Sequence, residues 1–346
     1  MTLENIRNIL VIKWGAVGDI VAATPALKAL RHGFPDAHIC VLGNELVGQI
    51  TPPGSLIDSL ILFDDKDTTS KSALAHAKLV HQLRGKKFDL AVNLRWNSER
   101  SGILGLLSGA RYRVSCTRGA SSNLYNIRVP HPGKDYHEID RNLDIVRALG
   151  IVAEDKTSYV HRTPEDRKMA EDFFQQHRLQ KESTIGIHPG ASGPNKAWMP
   201  ERYLEVARRL IEKFRVRVLL TWGEGEKVLV DKISGKLGSD AVVSPETKTI
   251  GALAALIERC SLYLSNCTGP MNVSVAVETP TVAILGSTHP EEWAPLGKLH
   301  RTIASPMRLD VYTREQQIEA LEVISVDTVW TIVERRWCEL SSADSE

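Results

Sequence analysis

Apolar residues in this chain fall into short runs, separated by glycine- and proline-bearing turns and by stretches with helical spacing. The first run, Asn8-Ile-Leu-Val-Ile-Lys13, is nearly all apolar and rich in β-branched residues, the pattern of a parallel strand buried on both faces. Trp14-Gly-Ala-Val-Gly18-Asp19 follows as a turn. Ile20, Ala23, Leu27 and Leu30 then recur at helical spacing and predict one helix over 20–31. Pro35-Asp36 breaks it, and 37–42 reads as a second strand. Strand, glycine turn, helix and strand open a doubly wound α/β domain.

The alternation continues with strands predicted over 59–63, 88–93 and 112–115 and helices over 72–83, 98–107 and 138–149, the last closed by Gly150 as a C-cap signal. A polar stretch over 153–164 reads as a linker. The pattern then restarts with a helix over 164–177, strands over 184–188, 216–221, 262–265 and 281–285, a helix over 200–214 and another opening after Thr268. A last helix over 326–337 has Val329, Ile332 and Val333 on its apolar face. The expected organisation is therefore α/β, with Rossmann-like domains over 1–160 and 161–325, a helix and polar tail over 326–346, and ligand loops at strand C-termini facing a cleft.

Composition narrows the function. Of 346 residues, 42% are hydrophobic and 25% charged, which excludes collagen-like, low-complexity and disordered classes. Lys+Arg 43 against Asp+Glu 42 leaves +1, so no bulk electrostatic hold on nucleic acid is expected, and 6% aromatic residues suggest no stacking platform for single strands. The five cysteines are odd in number and lack C-x-x-C spacing, which argues against a disulfide framework or zinc site and for a reduced, cytoplasmic setting. Glu4 and Arg7 interrupt any secretory leader. Lys13, Asp19 and Pro25 break the apolar segment over 9–30, so membrane contact is expected to be peripheral.

Several loops carry candidate chemistry. Gly15, Gly18 and Asp19 put a close backbone approach and an acid at a strand end, either facing a ligand or capping the following helix. Lys196 sits between a strand end and a helix start, where it either neutralises phosphate or is a solvated loop lysine. Thr268-Gly269-Pro270-Met271 opens a helix with proline in its first turn, either an anion site or a plain helix start. Asp65-x-Asp67 is read as a solvated charge run rather than a metal pair, and His131, His137, His188 and His289 as surface or hydrogen-bonded residues without metal-ligand spacing. Between Arg95 and Lys134 seven basic residues face Glu99 alone, either a surface for an anionic acceptor or a solubilising face.

In this order the motifs resemble those of the ADP-heptose:lipopolysaccharide heptosyltransferases, glycosyltransferase family 9. The matching stretches are Ile9-Leu-Val-Ile-Lys with Gly18-Asp19 and Thr24-Pro-Ala-Leu27, Tyr136-His-Glu-x-x-Arg-Asn142, Ile187-His-Pro-Gly190 with Lys196-x-Trp198-x-Pro200, Gly223-x-x-Glu226, Ser265-Asn-x-Thr-Gly-Pro-Met271, and Thr279-Pro-Thr-Val-Ala with Gly286-x-Thr288-x-Pro290. The resemblance runs over about 6–337. It implies the GT-B architecture, a C-terminal helix returning to the first domain, and inverting transfer of a heptose without cofactor or metal.

By resemblance Asp19 is the general base and Lys196 assists the departing diphosphate. Glu226, Cys267, Thr268, Gly269, Pro270, Met271, Asn272, Ser287 and Thr288 border the donor, an ADP-heptose or related nucleotide sugar. Gly18, Arg95 and Arg100 border a lipopolysaccharide inner-core acceptor at the cytoplasmic face of the bacterial inner membrane. Two positions depart from the family, which commonly has Asp at 267 and His at 272. A transferase with another donor or a protein acceptor, and a non-catalytic sugar- or nucleotide-binding partner, are the other readings.

Overall fold

The computed structural model describes residues 3–63, 72–96, 98–117, 119–133 and 135–343. The Asp65–Asp67 pair, Arg118 and Lys134 lie outside the described residues. The chain divides into two compact units, Met1–His161 and Arg162–Glu346.

The first unit runs β1 (Asn8–Ile12), α1 (Val17–Val21), α2 (Thr24–Gly33), β2 (His38–Gly43), α3 (Glu45–Ile50), β3 (Ser59–Leu62), α4 (Ser72–Gly85), β4 (Leu90–Asn93), α5 (Glu99–Leu107), β5 (Tyr112–Thr117), β6 (Ile127–Pro130) and α6 (Glu138–Arg147). Its six strands are parallel in the order β3-β2-β1-β4-β5-β6. β1 is central and alternates between two apolar layers. Leu10 and Ile12 pack with Leu83 and Leu104 of α4 and α5, while Ile9 and Val11 are buried on the other face, the side of α2 and α6.

The sequence predicts one helix over 20–31; the structure has two, parted at Ala22-Ala23. Pro25 has no N–H to give the Val21 carbonyl, and its ring crowds that carbonyl. The Thr24 hydroxyl donates to Val21 O instead, at 2.7 Å, and accepts the Tyr159 amide at 2.8 Å.

The second unit runs α7 (Pro164–Gln176), β7 (Thr184–His188), α8 (Pro200–Phe214), β8 (Arg217–Leu220), α9 (Lys227–Leu237), β9 (Ala241–Val243), α10 (Ile250–Ile257), β10 (Leu262–Asn266), α11 (Gly269–Ala276), β11 (Thr281–Leu285), α12 (Pro290–Trp293), β12 (Arg301–Ala304), α13 (Arg314–Glu322) and α14 (Val326–Ala343). Its parallel order, β12-β11-β10-β7-β8-β9, repeats the wiring of the first sheet. Val218 and Leu220 of β8 face a core that includes α8 and α14. Leu219 between them faces Ala170 and Phe174 of α7. Helix α14, which the family resemblance sends back to the first domain, lies in this unit and packs on α8 and β12, burying Val329, Val333 and Trp337.

In both sheets the first and fourth strands of the unit lie side by side, β1 beside β4 and β7 beside β10. Strand order reverses there, which opens a crevice at their carboxyl ends. Asp19, Arg95, Lys196 and the Cys267–Asn272 stretch follow those ends, while Glu226 follows β8 and Ser287 and Thr288 follow β11.

Candidate functional site

In the second unit, Asn266 closes β10 and is fully buried. Its Oδ1 accepts the Trp198 amide at 2.9 Å, and its Nδ2 donates to the carbonyls of Pro189 and Gly190 at 3.1 and 3.0 Å. One side chain thus ties both ends of the loop after β7, which carries Lys196, to the end of β10. The buried Trp198 indole secures the far side by donating to Ile324 O at 2.9 Å. Lys196 itself is exposed and makes no ion pair or hydrogen bond with its side chain among the described residues.

Helix α11 begins at Gly269 with Pro270 second and Thr268 as N-cap. The Thr268 side chain does not cap the helix; its hydroxyl turns back to Asn266 O at 3.4 Å. The first amides, with Gly269 and Met271 among them, therefore keep their partial positive charge for a ligand. The Met271 side chain is not part of that surface. It is buried against Ala283, Leu285 and Cys267, so Met271 can contribute only through its backbone. Asn272 donates Nδ2 to Thr268 O at 3.0 Å.

Cys267, partly buried, hydrogen-bonds with Thr288 in the turn after β11, where Ser287 also lies. A helix start and a nearby lysine favour a thiolate, but burial acts the other way. Burial pushes the Cys267 thiol up to about 11, outweighing the Thr288 bond and the Lys196 charge.

Glu226 stands after β8, behind a turn with Gly225 at φ 80°. Its Oε2 accepts the Gly223 amide at 2.7 Å and lies 3.4 Å from His188 Nε2. Oε1 has no partner among the described residues. Burial raises the Glu226 carboxyl, partly offset by the Gly223 amide. A Cβ at Gly190 would stand 2.2 Å from the Glu226 carboxyl carbon, so glycine there makes room for the acid. His188, Thr221, Tyr263 and Asn266 are site residues that sequence reasoning passed over or set aside. Their one local signal is polarity at or near the end of an otherwise apolar strand, at His188, Thr221 and Asn266.

In the first unit, Asp19 is the third residue of α1, and its Oδ2 accepts the Ala16 amide at 3.0 Å. Asp19 is therefore not the N-cap of a helix from Ile20; it lies inside α1 and reaches back to the amide of the N-cap, Ala16. Gly18 lies within α1, and its carbonyl takes the Ala22 amide. Gly15, at φ 150°, lies under the carboxylate, where a Cβ would be 2.7 Å from Asp19 Oδ2. Asn44 donates to Gly15 O at 2.8 Å and anchors the loop from β2.

Behind this loop Lys13, Glu138 and Arg141 form a buried ionic group, with Glu138 2.6 Å from Arg141 and 3.5 Å from Lys13. This accounts for two residues of the Tyr136–Asn142 motif structurally. The basic stretch proves mixed. Arg113 and Arg128 donate to backbone carbonyls and hold the chain around Leu124 and Tyr125. Arg100 packs over Phe63 and bonds His76. Arg95 keeps a buried Nε without a partner among the described residues.

Comparison with known proteins bears on the fold and the family. Lipopolysaccharide heptosyltransferase 3 of Escherichia coli K12 is 25% identical over 293 residues, covering 80% of this chain and 82% of that protein. A solved glycosyl transferase family 9 structure from Veillonella parvula superposes with TM-score 0.85 at 24% identity, covering 98% of this chain and 100% of that one. The Escherichia coli heptosyltransferase WaaC, solved with ADP-2-deoxy-2-fluoro heptose, gives TM-score 0.70 at 18% identity over 95% and 99%. The paired six-stranded sheets are a GT-B-like fold. The family model for glycosyltransferase family 9 (heptosyltransferase) matches residues 76–320, and the chain belongs to that family.

Proposed function

We propose that this protein is an inverting, metal-independent glycosyltransferase that moves a heptose from ADP-heptose to a lipopolysaccharide inner-core acceptor. One observation carries the reading. Loops following neighbouring strands of one sheet hold a lysine unpaired among the described residues, an uncapped helix start and a carboxylate with one oxygen unpartnered among them. Two phosphates and a ribose are the complement of that set. In doubly wound folds an acid after the second strand takes ribose hydroxyls, and Glu226 follows β8, the second strand of its unit. The named activities of the Escherichia coli relatives support ADP-heptose as donor and lipopolysaccharide as acceptor.

In the proposed reaction Asp19 Oδ1, the oxygen not engaged by Ala16, takes the proton of the acceptor hydroxyl as it attacks the anomeric carbon. The bond to ADP breaks and charge grows on the departing diphosphate. Lys196, the amides of Gly269 and Met271, and the hydroxyls of Thr268, Ser287 and Thr288 would stabilise it, the work a metal does elsewhere. Arg95, with Gly18 and Arg100, would serve an anionic acceptor. Among the described residues no helix is long and apolar enough to cross a membrane. Contact with the lipid-anchored acceptor at the cytoplasmic face of the inner membrane would then be peripheral.

A donor sugar other than heptose is favoured by one feature, the neutral Cys267 thiol where the family commonly has a carboxylate. Product analysis tests both readings, using ADP-heptose and other nucleotide sugars on truncated core acceptors in EDTA. Heptose transfer in EDTA is expected. Transfer of a different sugar would overturn the donor, and loss of turnover restored by Mg²⁺ would overturn metal independence. ADP binding without transfer from any donor would leave a non-catalytic partner.

A further inference from the structure

Three buried side chains on three adjacent strands make a line that ends at Glu226. The Tyr263 hydroxyl in β10 is 2.6 Å from Thr221 Oγ, at the end of β8. Thr221 Oγ is 3.1 Å from Nδ1 of His188, the last residue of β7. His188 Nε2 is 3.4 Å from Glu226 Oε2. Gly186 lies inside β7 because a Cβ there would come 2.5 Å from the Tyr263 ring.

Chemistry sets the direction of this line. A carboxylate only accepts, so an imidazole proton carried on Nε2 is the arrangement that suits the 3.4 Å approach to Glu226. Nδ1 then accepts, the Thr221 hydroxyl donates to it, and Thr221 in turn accepts the Tyr263 O–H. We propose that Tyr263, Thr221 and His188 form a one-way hydrogen-bonded chain that sets the Glu226 carboxylate for the ribose hydroxyls of the donor, with His188 as the positioning residue. The inference rests on the nucleotide-sugar reading of the same site and adds to it the residues that aim the acid.

Electrostatics keeps the chain in this state. Burial lowers the His188 imidazole to about 4 and raises the Tyr263 phenol, so at neutral pH the histidine is neutral and the tyrosine remains a donor. The Gly223 amide bonds Oε2 and the His188 ring stands 3.4 Å from the same oxygen, while Oε1 has no partner among the described residues. A carboxylate aimed before binding spares the entropy of ordering a flexible glutamate when ligand arrives.

Calorimetry with ADP, 2′-deoxy-ADP and 3′-deoxy-ADP tests this on the wild type and on His188→Asn, His188→Gln and Thr221→Val. The wild type should prefer ADP to at least one deoxy analogue. His188→Asn should weaken ADP about three- to tenfold, the range for one lost hydrogen bond, and bring the ADP to deoxy-ADP ratio towards one. His188→Gln, whose amide nitrogen stands near the place of Nε2, should recover part of both. Cooperatively melting His188→Asn with wild-type affinity and discrimination would overturn the proposal. Should His188→Asn fail to fold, Thr221→Val decides by the same readout. A wild type that binds no ADP would overturn the nucleotide reading itself, whereas ADP binding untouched by the variants would overturn only the chain.

Discussion

The side-chain oxygen of Asn266 accepts the Trp198 backbone amide at 2.9 Å, joining the end of β10 to the loop that carries Lys196. The same amide group holds Pro189 and Gly190. Asn266→Ala strands three backbone groups, each costing about 1–3 kcal/mol if left buried and unpaired. Urea unfolding should show a loss of at least ~2 kcal/mol, and ADP affinity should fall with it. A variant with wild-type stability would mean that the loops hold their places without Asn266.

Asp19→Asn preserves an oxygen for the Ala16 amide, so α1 and the melting temperature should be unaffected. A general base contributes typically ~10²–10⁴-fold, and turnover should drop by about that much while ADP affinity stays level. Near-native turnover would confine Asp19 to its helix.

Among the described residues the Lys196 side chain has no hydrogen-bond or ion-pair partner, so Lys196→Ala should leave stability nearly unchanged. A charge-assisted bond to phosphate is worth roughly 1.5–3 kcal/mol, and ADP binding should weaken about ten- to a hundredfold. Calorimetry giving the wild-type affinity would remove Lys196 from the diphosphate.

Acid should destabilise the second unit through two histidines. Burial lowers His188 to about 4, and burial with the Arg336 and Arg301 charges does the same to His300. Unfolded, both titrate near ~6.5. As pH falls below that value the unfolded chain takes up protons that the folded chain refuses. Stability therefore declines from about pH 6.5 down to about 4 and is flat above, by on the order of 3 kcal/mol for His188. Glu226, raised by burial, opposes part of this at the acid end. Melting curves across pH 4–8 should show the slope, and a His188→Gln/His300→Gln double variant should flatten it.

A thiol pushed up to about 11 is nearly all protonated at neutral pH, so Cys267 should alkylate more slowly than the exposed Cys338. Saturating ADP should slow it further. Cys267→Asp should shift relative kcat/KM among heptose and hexose donors, because a site built to bind a hydroxyl discriminates against its absence. Mass-spectrometric labelling and competition between donors check the two effects. Equal labelling with and without ADP, or an unchanged donor ranking, would place Cys267 outside the donor pocket.

Strands such as Thr184–His188 and Thr281–Leu285 are legible because both faces are covered and the sequence runs apolar between turn residues. β6, β9 and β12 escaped because they are edge strands without the apolar run that marks β3, the other edge. Arg128, Arg301 and Thr302 interrupt two of them, and Ala241–Val243 is only three residues long. Lys196 and the Thr268–Met271 helix start could be read as candidates from their loops, and Glu226 from the family resemblance. His188, Thr221 and Tyr263 could not, because they meet only through the register of β7 with β8 and β10. That pairing joins residues 33 and 42 positions apart, a relation no local pattern encodes.

The contiguity of the two units bears on how the protein is made. Every strand of the first sheet precedes His161 and every strand of the second follows Arg162. During synthesis the first sheet has all six strands before any of the second exists, so no strand edge must wait for a distant partner. The second unit is different. Its core includes Val329, Val333 and Trp337 of α14, and it stays unfinished until that helix leaves the ribosome. The half that carries Lys196, Glu226 and the α11 start is therefore the last to mature, and nascent chains lacking α14 would expose its apolar face to chaperones.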